Sequence, residues 1–266
     1  MPLAHFLEEQ CNIINQTIIV MLGAIIGDIV GSRWEFDPTN DYDFEMFSEE
    51  NSFTDDTVCT IAVADAIAKG RDYGGSIHEW CRRYPSPMGG YGGRFRQWVM
   101  SDEPKPYGSY GNGSAMRVSP VAWHYDTAED VLREARLTAE CTHNHPEGIL
   151  GAEATALAIF ECRHGRDITA AIEYSGYDVN INKSDVENQF DETCQGTVPV
   201  AFWIINQSTS FEDALRRAVS LGADADTLGA IVGSIAEARW GIPDAICQKV
   251  MEYLPEEMQN VILSTK

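Results

Sequence analysis

Positive charge is scarce in this chain. Its 266 residues include 19 Lys and Arg against 41 Asp and Glu, a net charge of −22. A surface of that sign repels a nucleic-acid backbone and an anionic bilayer, so extended contact with either is excluded. One nucleotide-sized ligand is still permitted, because its phosphates can rest on backbone N–H groups or on a metal. No run of 18 apolar residues occurs, so no membrane span is expected. The first 20 residues carry Glu8 and Glu9 and no Lys or Arg, unlike the basic start of a secretory signal. The seven cysteines are widely spaced, odd in number and without a Cys-x-x-Cys pair. Reduced, mostly buried thiols in a cytoplasmic protein are expected. No Gly-Lys-Ser/Thr ends a glycine-rich stretch, and no dinucleotide fingerprint follows a strand. No Ser/His/Asp or Cys/His order compels a covalent mechanism. Period-2 alternation is rare and no strand-turn-strand pattern recurs, which argues against a β fold.

Helical patterning is abundant. At 44% hydrophobic the chain can build an ordinary core. Residues 21–31 (MLGAIIGDIVG) are apolar all round with small residues between, and predict a buried helix with glycines that permit close packing. A strand is the alternative. Residues 55–68 predict a strong helix with Thr54 as N-cap. Further helices are expected over 76–83, 114–123, 128–141, 146–163, 168–174, 197–206, 211–221, 224–240 and 243–253, with a short amphipathic turn through Trp98. Residues 89–93 (GGYGG) read as a loop. The Pro/Gly/Ser stretch 104–113 is too long and glycine-rich for a mere connector. Residues 178–192 are polar and acidic, a surface loop expected to be mobile. The whole gives a mainly α single domain over 21–266, with 1–20 as an added helix or a frayed extension.

Two acidic clusters stand out, Thr54-Asp55-Asp56 and Asp224-Ala225-Asp226-Thr227. Each joins two carboxylates to a threonine at a helix start, where capping and the helix dipole alone can account for acid. The second opens an apolar run (Leu228, Ala230, Ile231, Val232) that should be buried. Carboxylates at the mouth of buried helices need partners. Brought together, the two clusters form an all-oxygen donor set that suits Mg²⁺, Mn²⁺ or Ca²⁺ and suits zinc or copper poorly. Glu35 lies between Trp34 and Phe36. Bulky neighbours can desolvate its carboxyl and raise its pKa, which suits proton transfer; an exposed loop glutamate is the plainer reading. The stretch Gly108-Ser109-Tyr110-Gly111-Asn112-Gly113-Ser114 lets backbone N–H groups approach an anion ahead of a helix. In Cys141-Thr142-His143-Asn144-His145-Pro146 the thiol and imidazoles are spaced i, i+2, i+4 without a distant second ligand pair. Hydrogen bonding, rather than zinc, is expected of them.

Taken together these residues resemble the ADP-ribosylglycohydrolase family, the group of dinitrogenase reductase-activating glycohydrolase and the ADP-ribosyl-acceptor hydrolases. The matching pieces are Gly27-Asp28-Ile29-Val30-Gly31 with Glu35, then Phe53-Thr54-Asp55-Asp56-Thr57, then Tyr110-Gly111-Asn112-Gly113-Ser114-Ala115-Met116-Arg117. Thr142-His143-Asn144-His145-Pro146 and Gly222-Ala223-Asp224-Ala225-Asp226-Thr227 follow in family order. Ala223 departs from a frequent second glycine but is small enough for the turn.

The resemblance implies an all-α, single-domain orthogonal helical bundle with two Mg²⁺ ions, or Mn²⁺, in a cleft. It implies Thr54, Asp55, Asp56, Asp224, Asp226 and Thr227 as metal ligands. Glu35 would act near the metals with Asp55 and Asp56, in proton transfer or in gating the site. Gly108, Ser109, Tyr110, Gly111, Asn112 and His143 would line an ADP-ribose pocket, with the pyrophosphate on the loop amides. The implied reaction is hydrolysis of the bond at ribose C1″ to a modified acceptor, arginine first among them. A non-catalytic ADP-ribose-binding member is the alternative. A metal-dependent nucleotide phosphohydrolase ranks last for want of an obvious Lys or Arg clamp. The partner would be an ADP-ribosylated protein or a small ADP-ribosyl conjugate, the protein a monomer, and loops 85–93 and 178–192 the candidates to face the acceptor.

Overall fold

The computed structural model describes residues 21–264. The expected extension, residues 1–20, lies outside them. Fifteen α-helices lie among the described residues. They are α1 Leu22–Gly31, α2 Asp55–Lys69, α3 Tyr73–Arg83, α4 Gly93–Met100, α5 Gly113–Met116, α6 Ser119–His124, α7 Ala128–Glu140 and α8 Pro146–Arg163. The rest are α9 Thr169–Ser175, α10 Lys183–Val186, α11 Cys194–Gln207, α12 Phe211–Val219, α13 Ala225–Trp240, α14 Asp244–Met251 and α15 Glu256–Ser264. A 3₁₀ turn, Ser32–Trp34, follows α1. Among the described residues, paired extended chain is limited to bridges between Thr54 and Met88 and between Gly111 and Thr193. The fold is all-α, and no described helix is long and apolar enough to cross a membrane.

The centre of the molecule is the pair α1 and α13. Gly23, Gly27 and Gly31 recur at i, i+4, i+8 on one face of α1. They meet Gly233, Gly229 and Ala225 of α13 in reversed order, so the helices run antiparallel. A Cβ on Gly27 would stand 1.9 Å from the Gly229 carbonyl oxygen, one on Gly23 2.2 Å from that of Gly233, and one on Gly31 2.2 Å from that of Ala225. The two backbones therefore touch directly, with no side-chain layer between them. Every residue of α1 is buried, as its uniformly apolar sequence requires. At its start no side chain of its own caps the helix. Glu237 of α13 supplies the acceptor, taking the Gly23 N–H at 2.8 Å on Oε2. Burial pushes that carboxyl up to about 8.

This contact sets the functional geometry. It holds the C-terminal half of α1 beside the N-terminus of α13, and α2 docks onto the same end through Asp28. The Asp28 carboxylate accepts the N–H groups of Thr54 and Thr57 on Oδ2, both at 3.0 Å. It also accepts the Thr57 hydroxyl at 2.5 Å and, on Oδ1, the Thr54 hydroxyl at 2.8 Å. Thr54 Oγ1 in turn accepts the Asp56 N–H at 3.2 Å, the capping role expected of it.

Several boundaries differ from the sequence reading. The helix expected over 114–123 is two, α5 and α6, broken before Pro120, whose ring and missing N–H bar continuation from upstream. α11 starts one turn earlier than expected, at Cys194, because Thr193 caps it by accepting the Gly196 N–H; Pro199 sits inside. α3 likewise starts earlier, behind the Asp72 cap. α15 was not expected. It follows Pro255, carries Glu256 and Glu257 in its first turn, and buries Met258, Val261 and Ile262.

Candidate active site

The two acidic clusters meet. The Thr227 hydroxyl lies 3.3 Å from Asp56 Oδ2, across 171 positions of chain. Carboxylate oxygens of Glu35, Asp224 and Asp226 approach within 4.8 Å of one another. With Asp55, Asp56 and Thr227 they line a cleft of about 370 Å³, within the range of small-molecule sites. Asp56, Asp224 and Asp226 are buried, while Glu35 is half-buried. Asp224 Oδ2 accepts the Asn112 amide at 2.7 Å, and that amide also reaches Thr197 Oγ1 at 3.1 Å. Thr54 sits at the rim of the cluster, fully buried, its hydroxyl directed at Asp28 and 3.4 Å from Asp56 Oδ2.

Burial and mutual repulsion raise every carboxyl here. Asp55, Asp56 and Asp226 are held well above the usual carboxylate range, first by desolvation and then by neighbouring acids. Asp28 and Asp224 are raised to about 6, mainly by burial. Glu35 is raised to about 8 by desolvation and by the charges of Asp226, Asp28 and Glu192, and it shares a hydrogen bond with Asp226. Two buried oxygens, Asp56 Oδ1 and Glu35 Oε2, have no partner. An unpaired buried carboxylate oxygen is costly, and a concentration of them calls for a cation. The donor set is wholly oxygen and fits Mg²⁺ or Mn²⁺.

A pH dependence follows. The ordinary values are 3.8 for Asp and 4.5 for Glu, below the folded values of about 6 for Asp28 and Asp224 and about 8 for Glu35. The unfolded chain therefore loses these protons first. The stabilising contribution is full below about pH 4 and is lost as pH rises through about 6 and then about 8. The metal-free protein should melt lower at pH 8 than at pH 5.5. Millimolar Mg²⁺ or Mn²⁺ should raise the melting temperature at pH 8 by roughly 5 °C or more, with a smaller gain at pH 5.5 where protons compete. Thermal melts with and without EDTA check this; a melting temperature indifferent to both ions contradicts the fit.

The same cleft also holds cations. Arg94 and Arg117 line it with Tyr107, Ser109 and His143, and the Arg94 guanidinium stands over the Tyr107 ring, 4.9 Å from its centroid. Gly89, Gly90, Gly92 and Gly93 also line it, Gly89 beside Glu35. Arg117 is buried, donates from Nη2 to Thr138 O and Thr142 Oγ1 (both 2.8 Å), and has a buried Nε without a partner. Because the Thr142 hydroxyl accepts from Arg117, its own proton is free for His143 Nδ1 at 2.7 Å. Burial, then Arg117, lowers the His143 pKa well below the ordinary histidine value. The neutral ring with Nδ1 as acceptor carries its proton on Nε2, 3.1 Å from where a Cβ on Gly113 would sit. Cys141 and His145, of the same stretch, make hydrogen bonds of their own. Cys141 Sγ donates to Thr138 O at 3.3 Å, and His145 Nδ1 caps α8 by accepting the Glu147 N–H at 3.2 Å.

The glycine-rich loop corrects one expectation. Ser109, Gly111 and Asn112 line the cleft, whereas Gly108 and Tyr110 fall outside its wall. The loop's amides turn inward: Gly108 N–H to Asn144 Oδ1 at 2.7 Å, Gly111 N–H to Ser109 Oγ at 3.2 Å, and Asn112 N–H to Glu192 O at 2.7 Å. The Tyr110 ring is 46% exposed and leans on His145, centroids 5.1 Å apart. These hydrogen bonds hold the loop in shape. Sequence reading missed Asp28 and Arg94 as site residues, while the glycines at 89–93 belong to a loop it named as facing the acceptor. An aspartate inside an otherwise apolar buried helix was the available signal for Asp28.

This architecture has relatives. The family model described as ADP-ribosylglycohydrolase matches residues 12–264, beginning inside the segment read as an extension. ADP-ribosylhydrolase ARH3 of Bos taurus is 25% identical, over 90% of this chain and 86% of that protein. ADP-ribosylarginine hydrolase Tri1 of Pseudomonas putida is 26% identical, over 84% of this chain and 70% of that protein. ADP-ribosyl-[dinitrogen reductase] glycohydrolase of Rhodospirillum rubrum is 26% identical, over 84% and 85%. A solved chain titled ADP-ribosylglycohydrolase-related protein complex shares the fold at TM-score 0.68 and 24% identity, covering 92% of this chain and 94% of that one. The sequence match over most of the chain and the cleft that gathers its acidic motifs lead to one conclusion: the protein belongs to the ADP-ribosylglycohydrolase family and is a glycohydrolase.

Proposed function

We propose that this enzyme releases ADP-ribose from modified arginine on a protein, by hydrolysis of the bond at ribose C1″ with two Mg²⁺ ions, or Mn²⁺, among the acidic residues of the cleft. The observation that carries the reading is the meeting of Asp55 and Asp56 with Asp224, Asp226 and Glu35 in a cleft that Arg94 and Arg117 also line. Asp55, Asp56, Asp224, Asp226 and Thr227 would hold the ions, with Thr54 at their edge. When bound, such ions supply charge compensation and orient hydroxyl groups and water.

The chain's own groups divide the remaining work. Arg94 and Arg117 oppose the charge of the pyrophosphate, which is the clamp a negatively charged protein needs. His143 presents Nε2–H as a neutral donor to the ligand. Asn112 fixes the Asp224 carboxylate in one orientation through its amide. Glu35, beside Asp224 and Asp226, is the carboxyl that would pass a proton to the departing acceptor nitrogen. The surrounding carboxylates favour the positive charge that develops at C1″. Incubation with Mg²⁺ and a panel of arginine-, serine- and base-linked ADP-ribose tests the proposal. Free ADP-ribose from the arginine conjugate is expected; inorganic phosphate without ADP-ribose, or binding without cleavage of any conjugate, would overturn it.

A further inference from the structure

Most exposed large apolar side chains of this protein stand apart from the cleft, but Phe36 (72% exposed) and Phe190 (49%) line it. An aromatic ring kept in water at the mouth of a site is a feature that ligand contact explains. Both rings neighbour acids of the cleft in sequence. Phe36 follows Glu35 directly. Phe190 precedes Glu192 by two residues, and Glu192 is close enough to Glu35 and Asp224 to raise both. Of the cations lining the cleft, Arg94 stands over the Tyr107 ring.

The backbone beneath Phe190 is anchored. Asn188 N–H donates to Leu221 O at 2.9 Å, Asn112 N–H donates to Glu192 O at 2.7 Å, and Cys194 N–H donates to Tyr110 O at 2.9 Å. Phe36 follows Glu35, whose carboxyl lies against Gly89 of the cleft wall. The Phe190 ring is thus exposed on a held backbone.

We infer that Phe36 and Phe190, with the Glu192 carboxylate, form the platform that recognises the acceptor, and that the acceptor group it fits is a flat cation, the guanidinium of arginine. The inference rests on the hydrolase reading above and assigns the residues that choose its substrate. A guanidinium keeps its charge after one nitrogen is glycosylated. It is planar, weakly hydrated and attracted to the face of an aromatic ring. An exposed carboxylate beside the rings adds a bidentate partner. A serine acceptor offers neither charge nor plane, so it gains nothing from this surface.

The test compares ADP-ribosyl-arginine and ADP-ribosyl-serine peptides of the same sequence. The proteins are wild type, the Phe36→Ala/Phe190→Ala double variant and Glu192→Gln, all with Mg²⁺. Wild type should favour the arginine peptide in kcat/KM. The double variant should lose about tenfold or more on arginine, chiefly in KM, with serine hydrolysis and free ADP-ribose binding within about twofold. Glu192→Gln should narrow the preference in the same direction. Equal losses on both peptides, an unchanged ratio, or a wild-type preference for serine overturns the platform. Should wild type cleave neither peptide, the reading of protein-linked arginine as the acceptor fails. Calorimetric binding of the two uncleaved peptides then decides the platform: a tighter arginine complex that Phe36→Ala/Phe190→Ala weakens supports it, and equal affinities refute it.

Discussion

Asp56→Asn should make the metal-free protein more stable and the enzyme inactive. Asp56 is 2% exposed, and its Oδ1 is without a partner. Asp226, Asp28, Asp55 and Asp224 all push its pKa upward after burial itself. The amide keeps the shape and an acceptor for the Thr227 hydroxyl at 3.3 Å, and it removes one charge from the cluster. Relief of that repulsion should add roughly 1 kcal/mol of stability in EDTA, the size of common charge-optimising substitutions. The same change removes a proposed metal ligand. Metal assistance is worth several kcal/mol of barrier, so turnover in Mg²⁺ should fall by roughly three orders of magnitude. Denaturant titration in EDTA and turnover assays in Mg²⁺ measure the two effects. Turnover within tenfold of wild type, or a loss of stability in EDTA, contradicts this account of the cluster.

The largest structural effect is expected at Gly27. An alanine there would drive its Cβ to 1.9 Å from Gly229 O and 2.2 Å from Gly229 C, both backbone atoms that no rotamer change can move. α1 and α13 must separate, in the densest contact of the core. Overpacking commonly costs about 1–3 kcal/mol, and with backbone on both sides the loss here should reach ~3 kcal/mol, a fall of about 10 °C in melting temperature. Separation also moves Asp28 and Glu35 away from Asp224 and Asp226, so the stabilisation by Mg²⁺ should weaken in the protein that remains folded. Gly70→Ala is the control. Gly70 has φ 59° with no atom within 4 Å of an added Cβ, so it should cost only the left-handed strain of about 1 kcal/mol. A Gly27→Ala protein as stable as Gly70→Ala would show that the helix contact does not organise the site.

How far the sequence disclosed this arrangement depends on the kind of signal. The paired motifs Thr54-Asp55-Asp56 and Asp224-Ala225-Asp226-Thr227 were legible because each couples acid to a strongly apolar helix. The glycines of residues 21–31 were legible as a close-packing face, but not their partners. The matching small residues, Ala225, Gly229 and Gly233, lie 200 positions away on average in a helix read for its acids alone. Asp28 was hidden by its apolar neighbours, although it fastens α2 to α1. The loop 108–114 was legible only as far as its glycine content: that Asn144, Thr142 and Glu192 take the N–H groups of Gly108, Ser109 and Asn112 is a tertiary feature. Phe36 and Phe190 carried no pattern at all, since exposure at a cleft mouth is a tertiary property. The break at Pro120 and the helix Glu256–Ser264 were readable from proline and spacing and were passed over.

The central claim is that divalent ions act at the meeting point of the two acidic clusters. It is tested most directly by stripping the protein with EDTA, titrating Mg²⁺ or Mn²⁺ back in the presence of ADP-ribosyl-arginine, and following the release of ADP-ribose. The account predicts no release in the stripped protein, a saturable return with either ion, and none with either ion in Asp226→Asn. Undiminished release after stripping, or full recovery in Asp226→Asn, would contradict it.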